Sequence, residues 1–394
     1  MENYPQYVYN LQYGTPLSFI KKKEEIPKIY DVLINKCLKR NEERTMDSLH
    51  WSVNKDVDNL KGYPQIREAA RLLQSNQVVA FPTETVYGLG ANALSDDAVA
   101  KIYEAKGRPS DNPLIVHIAE LQQLEELVDS IPAHAHLLMK EFWPGPLTLI
   151  FPKKAGVVSE KVTAGLDTIA VRMPDHPVAL ALISAARLPI AAPSANRSGK
   201  PSPTTARHVA TDLDGRVAGI LDGGPTGVGL ESTVVDCTGE VPIILRPGGI
   251  SMEDIEKVIG NVLAGPLSPN QMEIPKSPGM KYKHYAPVAP LYLLDGEPSW
   301  IQSMIDQKRR DGLKVGIMST TENTHYYNAD LVLECGSRMD LQSVAHHLYE
   351  VLRKFDEVPL DCIFSEVFPD SGIGAAIMNR LDKAAGHHWI RQKD

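Results

Sequence analysis

Residues 168–205, TIAVRMPDHPVALALISAARLPIAAPSANRSGKPSPTT, combine strand, helix and polar-loop patterns in one continuous stretch. It predicts a buried strand over Thr168–Met173, a helix over His176–Arg187 and a second strand over Ile190–Ala192. A polar loop from Pro193 follows that second strand, with small hydroxyl and amide side chains among cations. A strand, a helix and a strand that ends in such a loop are typical of a small-ligand site on an α/β fold.

Further strand-sized apolar runs lie on both sides of this stretch, with helical patterns between some of them. Ser95 is predicted to cap a helix whose first turn holds Asp96 and Asp97. The arrangement favours an α+β or mixed α/β sheet over a regular doubly wound one. The predicted strands are Val78–Phe81, Leu114–Ala119, Leu147–Phe151, Gly219–Asp222, Ser232–Cys237 and Ile243–Arg246.

The periodicity stops over 264–287, which is rich in Pro, Ser and Gly and is typical of a linker. Strands and helices alternate after it, which predicts a small, parallel, Rossmann-like α/β domain. The first 45 residues differ from everything that follows, so we expect them to be dispensable, with Met46 as an alternative start. The predicted organisation is an N-terminal extension (1–45), a larger α/β domain (46–264), a linker (265–289) and a C-terminal domain (290–394).

Bulk properties exclude several classes of protein. The net charge of −8 argues against a protein that grips nucleic acid over its whole surface. No apolar run is long enough for a membrane span, and the N-terminus does not resemble a secretory signal. Four cysteines lie far apart, with no C-x-x-C pair, so we expect neither a disulfide framework nor a zinc site. A reducing cytoplasm is the expected location.

Standard catalytic signatures are missing from the sequence. It has no phosphate-binding P-loop, no G-x-G-x-x-G between a strand and a helix, no G-x-S-x-G and no H-E-x-x-H. The adjacent pairs His346-His347 and His387-His388 are badly spaced for a metal on a helix, and we expect them at the surface. A covalent nucleophile and a dedicated protein-bound metal are therefore not expected.

Polar residues instead gather at the ends of the predicted strands. Lys106 and Arg108, with Asn112 beyond, would suit a polyphosphate, although a solvated basic helix end explains them equally well. Arg172 ends a strand and needs an anionic partner, for which an amino-acid carboxylate would serve. His117, inside an apolar run, has the pattern of a core histidine. Each cluster alone is ambiguous.

Taken together, the motifs PTETVYGLGANA (82–93), KGR (106–108), NPLIVHI (112–118), VRMPDHP (171–177), PSANRSGKPSPT (193–204), EST (231–233) and ILRPG (244–248) resemble the YrdC/YciO family. The ordered match covers roughly 63–252. The linker and C-terminal region resemble the additional domain of the long, two-domain threonylcarbamoyl-AMP synthases. The resemblance implies a twisted mixed α/β sheet with a large basic cavity, and a smaller Rossmann-like domain behind it.

The resemblance also implies site residues, which we carry over position by position. Lys106 and Arg108 would be the catalytic cations facing the phosphates, and no residue would bind a metal directly. Tyr282 in the linker would contact the nucleotide, with Lys281, Lys283 and His284 as alternatives. ATP would be held by Arg108, Asn112, Thr168, Ser194, Ser202, Arg246 and Tyr282, and L-threonine by Thr85, His117, Arg172, Ala192 and Ser232.

The activity that the resemblance implies is synthesis of L-threonylcarbamoyl-AMP from L-threonine, bicarbonate and ATP, with pyrophosphate released. The product would serve threonylcarbamoyladenosine formation at position 37 of tRNAs that read codons beginning with A. Mg²⁺ would arrive with ATP, because the motifs offer few carboxylates. Expected partners are a downstream threonylcarbamoyl transferase complex and a weak contact with tRNA or double-stranded RNA, with no membrane. The rival reading is an RNA-binding, translation-associated module that makes no adenylate.

Overall fold

The structure of the protein is a computed structural model, and it describes residues 47–56, 59–265 and 285–393. The expectations for the N-terminal 45 residues, for Tyr282 and for most of the linker lie outside these residues. Within the described residues, no helix is long and apolar enough to cross a membrane.

The first part of the chain forms a large mixed sheet with helices on both faces, as predicted. Its strands are β1 (Leu49–Ser52), β2 (Val79–Phe81), β3 (Gly88–Asn92), β4 (Ile115–His117), β5 (Leu147–Pro152), β6 (Thr168–Arg172), β7 (Ile190–Ala191), β8 (Gly219–Asp222), β9 (Thr233–Asp236), β10 (Ile243–Arg246) and β11 (Leu263–Ala264). Its helices are α1 (Pro64–Gln74), α2 (Asp96–Lys106), α3 (Leu121–Leu127), α4 (Ala133–Phe142), α5 (Glu160–Thr163), α6 (Pro177–Ala186), α7 (Ala206–Leu213) and α8 (Met252–Ile259).

The strands of this sheet run in the order β1-β8-β2-β3-β7-β4-β6-β5-β9-β10-β11. Parallel pairs such as β4–β6 and β5–β9 alternate with antiparallel pairs such as β2–β3 and β4–β7. This mixture confirms the predicted fold class and excludes a regular doubly wound sheet.

Helix boundaries follow from local sequence. Ser95 accepts a hydrogen bond from the Ala98 amide and starts α2, whose first turn holds Asp96 and Asp97, as predicted. Gly107 ends the same helix with a positive φ of 62°, a conformation that glycine adopts without strain. Because α2 stops there, Arg108 leaves the helix axis and enters the following loop.

The strand β3 was not predicted, because PTETVYGLGANA has the composition of a turn. A β-carbon at Gly90 would lie 2.8 Å from the Phe81 ring and 2.9 Å from Ile190. Glycine therefore allows β3 to approach its neighbours closely enough to pair with β2 and β7.

The C-terminal part of the chain forms a second, all-parallel sheet in the order β14-β13-β15-β12-β16. Helix α9 packs on one face, while α10 and α11 pack on the other, which is the Rossmann-like arrangement predicted. Its elements are β12 (Leu291–Asp295), α9 (Pro298–Arg310), β13 (Val315–Ser319), β14 (Leu331–Glu334), α10 (Leu341–Lys354), β15 (Cys362–Glu366), α11 (Ile373–Ala384) and β16 (Trp389–Arg391).

The two parts of the chain share one apolar cluster. Val86 and Leu230, from the first part, pack with Leu348 and Tyr349 of α10. His346 also contacts the carbonyl oxygen of Gly227 at 2.8 Å through Nδ1. The C-terminal helices are therefore in direct contact with the loops that follow β2 and precede β9.

Candidate active site

An open cavity of about 740 Å³, counted out to the solvent, lies where several strands of the large sheet end. Strands β4, β6 and β10 each bring a cationic or imidazole side chain to it: His117, Arg172 and Arg246. The pairing of β10 with β9 shifts register between Ile244 and Arg246, and such a bulge re-aims the side chain beside it. The strand ends therefore set the direction of three cavity side chains.

Arg172 lines the cavity and is almost completely buried, at 3% exposed. Its Nη2 atom lies 2.6 Å from Glu84 Oε1, and its Nη1 atom donates to Thr85 Oγ1 at 2.9 Å. Its Nε atom donates to the Gly145 carbonyl oxygen at 3.2 Å. These contacts from two separate loops, one with Glu84 and Thr85 and one with Gly145, hold the guanidinium plane, as an arginine that recognises a carboxylate requires.

His117 is the register partner of Arg172 across the parallel pair β4–β6. Its Nδ1 atom lies 3.2 Å from the Ile115 carbonyl oxygen. Burial, and after it the charge of Arg172, lower the pKa of His117 to about 3. The imidazole is therefore neutral at physiological pH. Of these two register partners, Arg172 therefore carries the positive charge.

Lys106 also lines the cavity, but its ammonium is engaged by the protein. Its Nζ atom donates to the backbone carbonyl oxygens of Ser194 and Asn196, and lies 3.4 Å from Asn196 Oδ1. Burial and the nearby Arg108 lower its pKa well below the ordinary lysine value. Because an ammonium has three hydrogens, these contacts tie the end of α2 to the loop after β7. A direct contact with phosphate would require one of them to be exchanged.

Arg108 reaches the cavity from the loop after α2, and its Nη2 atom donates to the Asn112 carbonyl oxygen at 3.3 Å. Asn112 itself is fully buried, with an amide that makes no hydrogen bond to the described residues. Arg108 is thus the more accessible of the two cations from this motif, being half-buried where Lys106 is buried.

Arg246 and Ser232 form one unit on the cavity wall. Arg246 donates to the Ser232 carbonyl oxygen through Nε (3.2 Å) and Nη2 (2.9 Å), and to Ser232 Oγ at 3.2 Å. Ser232 Oγ in turn lies 2.7 Å from Thr148 Oγ1. This chain of contacts places one arginine and one hydroxyl group side by side on the wall.

The structure therefore brings most of the expected site residues to one cavity. Arg108, Ser194 and Arg246, which come from well-separated loops, share it. The expected residues that line it are Thr85, Lys106, Arg108, His117, Arg172, Ala192, Ser194, Ser232 and Arg246. Asn112 and Ser202 are buried behind the wall, and Thr168 lies at the opposite end of β6 from Arg172. Their roles stay predictions.

Sequence reasoning did not assign two carboxylates and one tyrosine to the site. Glu84 pairs with Arg172, and Glu231 lines the cavity beside Ser232. Tyr285, which follows the undescribed residues, also lines the cavity and packs on Tyr349 with ring centroids 5.2 Å apart. Glu84 and Glu231 stand inside quoted motifs, so their positions were visible, but a carboxylate was not expected in a basic cavity.

This fold and cavity define a class: an α/β enzyme in which several fixed cations line one cavity. Residues 71–248 match the family model described as "Telomere recombination", the Sua5/YciO/YrdC family. Residues 250–386 match the family described as "Threonylcarbamoyl-AMP synthase, C-terminal domain".

Relatives and solved structures agree with these matches. Threonylcarbamoyl-AMP synthase of Bacillus subtilis is 59% identical over 88% of this chain and 100% of its own. That of Pyrococcus abyssi is 48% identical over 83% of this chain and 96% of its own. The crystal structure of P. abyssi Sua5 complexed with L-threonine has a TM-score of 0.82 and 46% identity, covering 88% of this chain and 100% of that one. The chain belongs to the family of two-domain threonylcarbamoyl-AMP synthases.

Proposed function

We propose that this chain catalyses L-threonine + bicarbonate + ATP → L-threonylcarbamoyl-AMP + pyrophosphate + water. One observation carries the proposal. Two cations from distant parts of the chain, Arg108 and Arg246, share a single cavity with the buried Arg172, whose guanidinium is held by Thr85 and Gly145. Such a cavity offers one subsite for a polyphosphate and another for an amino-acid carboxylate.

Threonine is assigned to the end of the cavity with Arg172, His117, Thr85, Ala192 and Ser232. The threonine carboxylate would join Arg172, whose guanidinium is already held in plane. The neutral His117 adds no second charge that would draw the nucleotide there. The solved P. abyssi Sua5 complex with L-threonine supports this choice of amino acid.

ATP is assigned to the side with Arg108, Ser194 and Arg246, with Ser202 behind the wall. Asn112, Thr168 and Tyr282 remain in this set on the family resemblance alone. Within the described residues, no group of three or more His, Cys, Asp or Glu side chains is placed to hold a metal ion. The proposal that Mg²⁺ enters with ATP rests on the family resemblance.

The chemistry needs positioning and charge stabilisation. The amine of threonine attacks the carbon of bicarbonate or CO2, which gives a carbamate with loss of water overall. A carbamate oxygen then attacks the α-phosphorus of ATP, and the bond to the β-phosphate oxygen breaks, which releases pyrophosphate. Negative charge develops along this line, and Arg108 and Arg246 would stabilise it.

The product would be consumed by a threonylcarbamoyl transferase that modifies tRNA. It is a mixed anhydride, so we place synthesis and transfer in the same compartment, the cytoplasm. We expect at most a weak contact between this chain and tRNA or double-stranded RNA. The domain boundaries at 46, 265 and 290 are proposed with the same organisation.

The rival function, RNA binding without adenylate synthesis, needs a basic face that is open to a phosphate backbone. In the structure, two of the three cations between Pro193 and Thr211 face carboxylates of the C-terminal part. Arg207 lies 3.3 Å from Glu350, and Lys200 lies 4.0 Å from Asp356. These pairs leave less positive charge for a phosphate backbone.

The proposed function is tested by pyrophosphate release. We expect release that depends on both threonine and bicarbonate. RNA affinity should stay weak and fall steeply with salt. Pyrophosphate release that does not depend on threonine, together with tight RNA binding, would overturn the proposal in favour of RNA binding.

A further inference from the structure

A carboxylate, Glu231, forms part of the wall of a cavity that must accept a triphosphate. It is 8% exposed and lies next to Ser232, in contact with the unit that holds Arg246. An uncompensated carboxylate there would repel the substrate. The structure must therefore offset this charge.

The offset comes from the C-terminal domain. Arg380 of α11, whose side chain is 0% exposed, donates from Nε to Glu231 Oε2 at 2.9 Å. Its Nη1 atom donates at 2.8 Å to the carbonyl oxygen of Pro247, the residue after Arg246. Arg380 thus contacts both the carboxylate and the backbone that carries the cavity arginine.

Two hydroxyl groups complete the surroundings of Glu231. Tyr349 of α10 donates to its carboxylate at 2.8 Å, and Ser202 donates to Oε1 at 2.5 Å. Burial raises the pKa of Glu231, but the charges of Arg380 and Arg246 and the bond from Ser202 outweigh it and bring it to about 2. Glu231 is therefore a permanent negative charge, bound from both parts of the chain.

We propose that Arg380 is a positioning residue of the synthase: it neutralises Glu231 and so keeps Arg246 aimed at the nucleotide phosphates. Without Arg380, Glu231 would be left with Arg246 and Lys383 as charged neighbours among the described residues, and it would compete with ATP for Arg246. The C-terminal domain then has a defined part in the reaction, since it completes the charge balance of the ATP subsite. The inference rests on the proposed function, because it takes ATP as the ligand near Arg246.

A second contact between the two parts separates this role from simple docking. Arg353 of α10 forms a fork with Asp212 of α7, at 3.2 Å and 2.8 Å. Asp212 does not line the cavity. Asp212→Asn is therefore a matched control for Glu231→Gln, since each converts a buried carboxylate to an amide opposite a C-terminal arginine.

The test measures binding of ATP alone and of threonine alone by calorimetry, with the melting temperature of each variant. Arg380→Met should weaken ATP binding by roughly tenfold or more, with threonine binding unchanged. The double variant Arg380→Met/Glu231→Gln should recover ATP affinity to within about threefold of the original, because it removes the uncompensated charge. Asp212→Asn should lower the melting temperature without changing ATP affinity.

Two results overturn the inference: a folded Arg380→Met protein that binds ATP normally, or a folded double variant that binds ATP as weakly as Arg380→Met. If Arg380→Met does not fold, the test relies on the double variant Arg380→Met/Glu231→Gln and on Arg380→Lys. Both proteins must bind ATP within about threefold of the original affinity. Failure of the proposed function is a separate result. The original protein would then make no threonylcarbamoyl-AMP, whatever the pattern of ATP binding.

Discussion

Arg172 Nη2 lies 2.6 Å from Glu84 Oε1, so the buried arginine of the cavity has a carboxylate partner from the protein itself. The sequence predicted that Arg172 needs an anion, and it predicted a substrate carboxylate in that role. The structure adds Glu84, held by the turn after β2. An arginine braced in this way keeps its orientation, and its fork can serve a second carboxylate without reorganisation.

Replacing Arg172 with lysine should raise the KM for threonine about 10- to 100-fold and leave the KM for ATP nearly unchanged. Lysine keeps the charge but loses the planar fork that meets Glu84, Thr85 and Gly145. Steady-state kinetics with each substrate varied in turn measures the split. Arg338→Lys is the control, because Arg338 does not line this cavity. Its Nη2 atom pairs with Glu366 Oε2 at 2.7 Å. Equal losses for both substrates would contradict the assignment.

Replacing Arg108 with alanine should cost about 2–4 kcal/mol of transition-state stabilisation, by analogy with loss of one oxyanion donor. That corresponds to a fall of roughly 30- to 1,000-fold in kcat/KM for ATP. The exposed Arg207→Ala serves as the comparison, since Arg207 pairs with Glu350 outside the cavity. Near-normal turnover by the Arg108→Ala enzyme would show that this cation does not serve the reaction.

His117 should not titrate over the working range of the enzyme. Its pKa of about 3 lies below the ordinary histidine value because burial and Arg172 disfavour the imidazolium. NMR spectra of ring-labelled protein should show one unchanged His117 resonance between about pH 5 and pH 9. A midpoint near pH 6.5 would mean that the ring is solvated and is not buried beside Arg172.

Glu231 should make stability depend on pH in the acidic range. Its folded pKa of about 2 lies below the ordinary value of 4.5, so its contribution is complete above about pH 4.5 and is lost as the pH falls towards 2. The full contribution is about 3 kcal/mol. Urea unfolding of the original protein and of Glu231→Gln should show a constant gap above pH 5 that narrows below it. A gap that stays constant down to pH 3 would refute this.

Local pattern predicted much of the fold. Ser95, Asp96 and Asp97 correctly predicted the start of α2. Apolar runs located most strands to within a residue or two. The strand β3 was missed because Gly88 and Gly90, which its close packing requires, lower the strand signal. β16 (Trp389–Arg391) is too short to show a period.

The site was predictable only in part, because some of its contacts join residues that are far apart in the sequence. Residues that end strands, such as Arg172 and Arg246, stand out in the sequence because a cation follows an apolar run. The pairing of Glu231 with Arg380 joins residues 149 positions apart, which no local pattern encodes. Lys106 is a second example of such a distant contact. Its place in the KGR motif suits phosphate binding, but its ammonium donates to the backbone oxygens of Ser194 and Asn196.

The synthase activity itself is tested by mass spectrometry after incubation with ¹³C-bicarbonate, threonine and ATP. We expect threonylcarbamoyl-AMP carrying a single heavy carbon, formed together with pyrophosphate and absent when threonine is omitted. Consumption of ATP to ADP and phosphate, or a complete lack of the labelled mixed anhydride from folded protein, would contradict it.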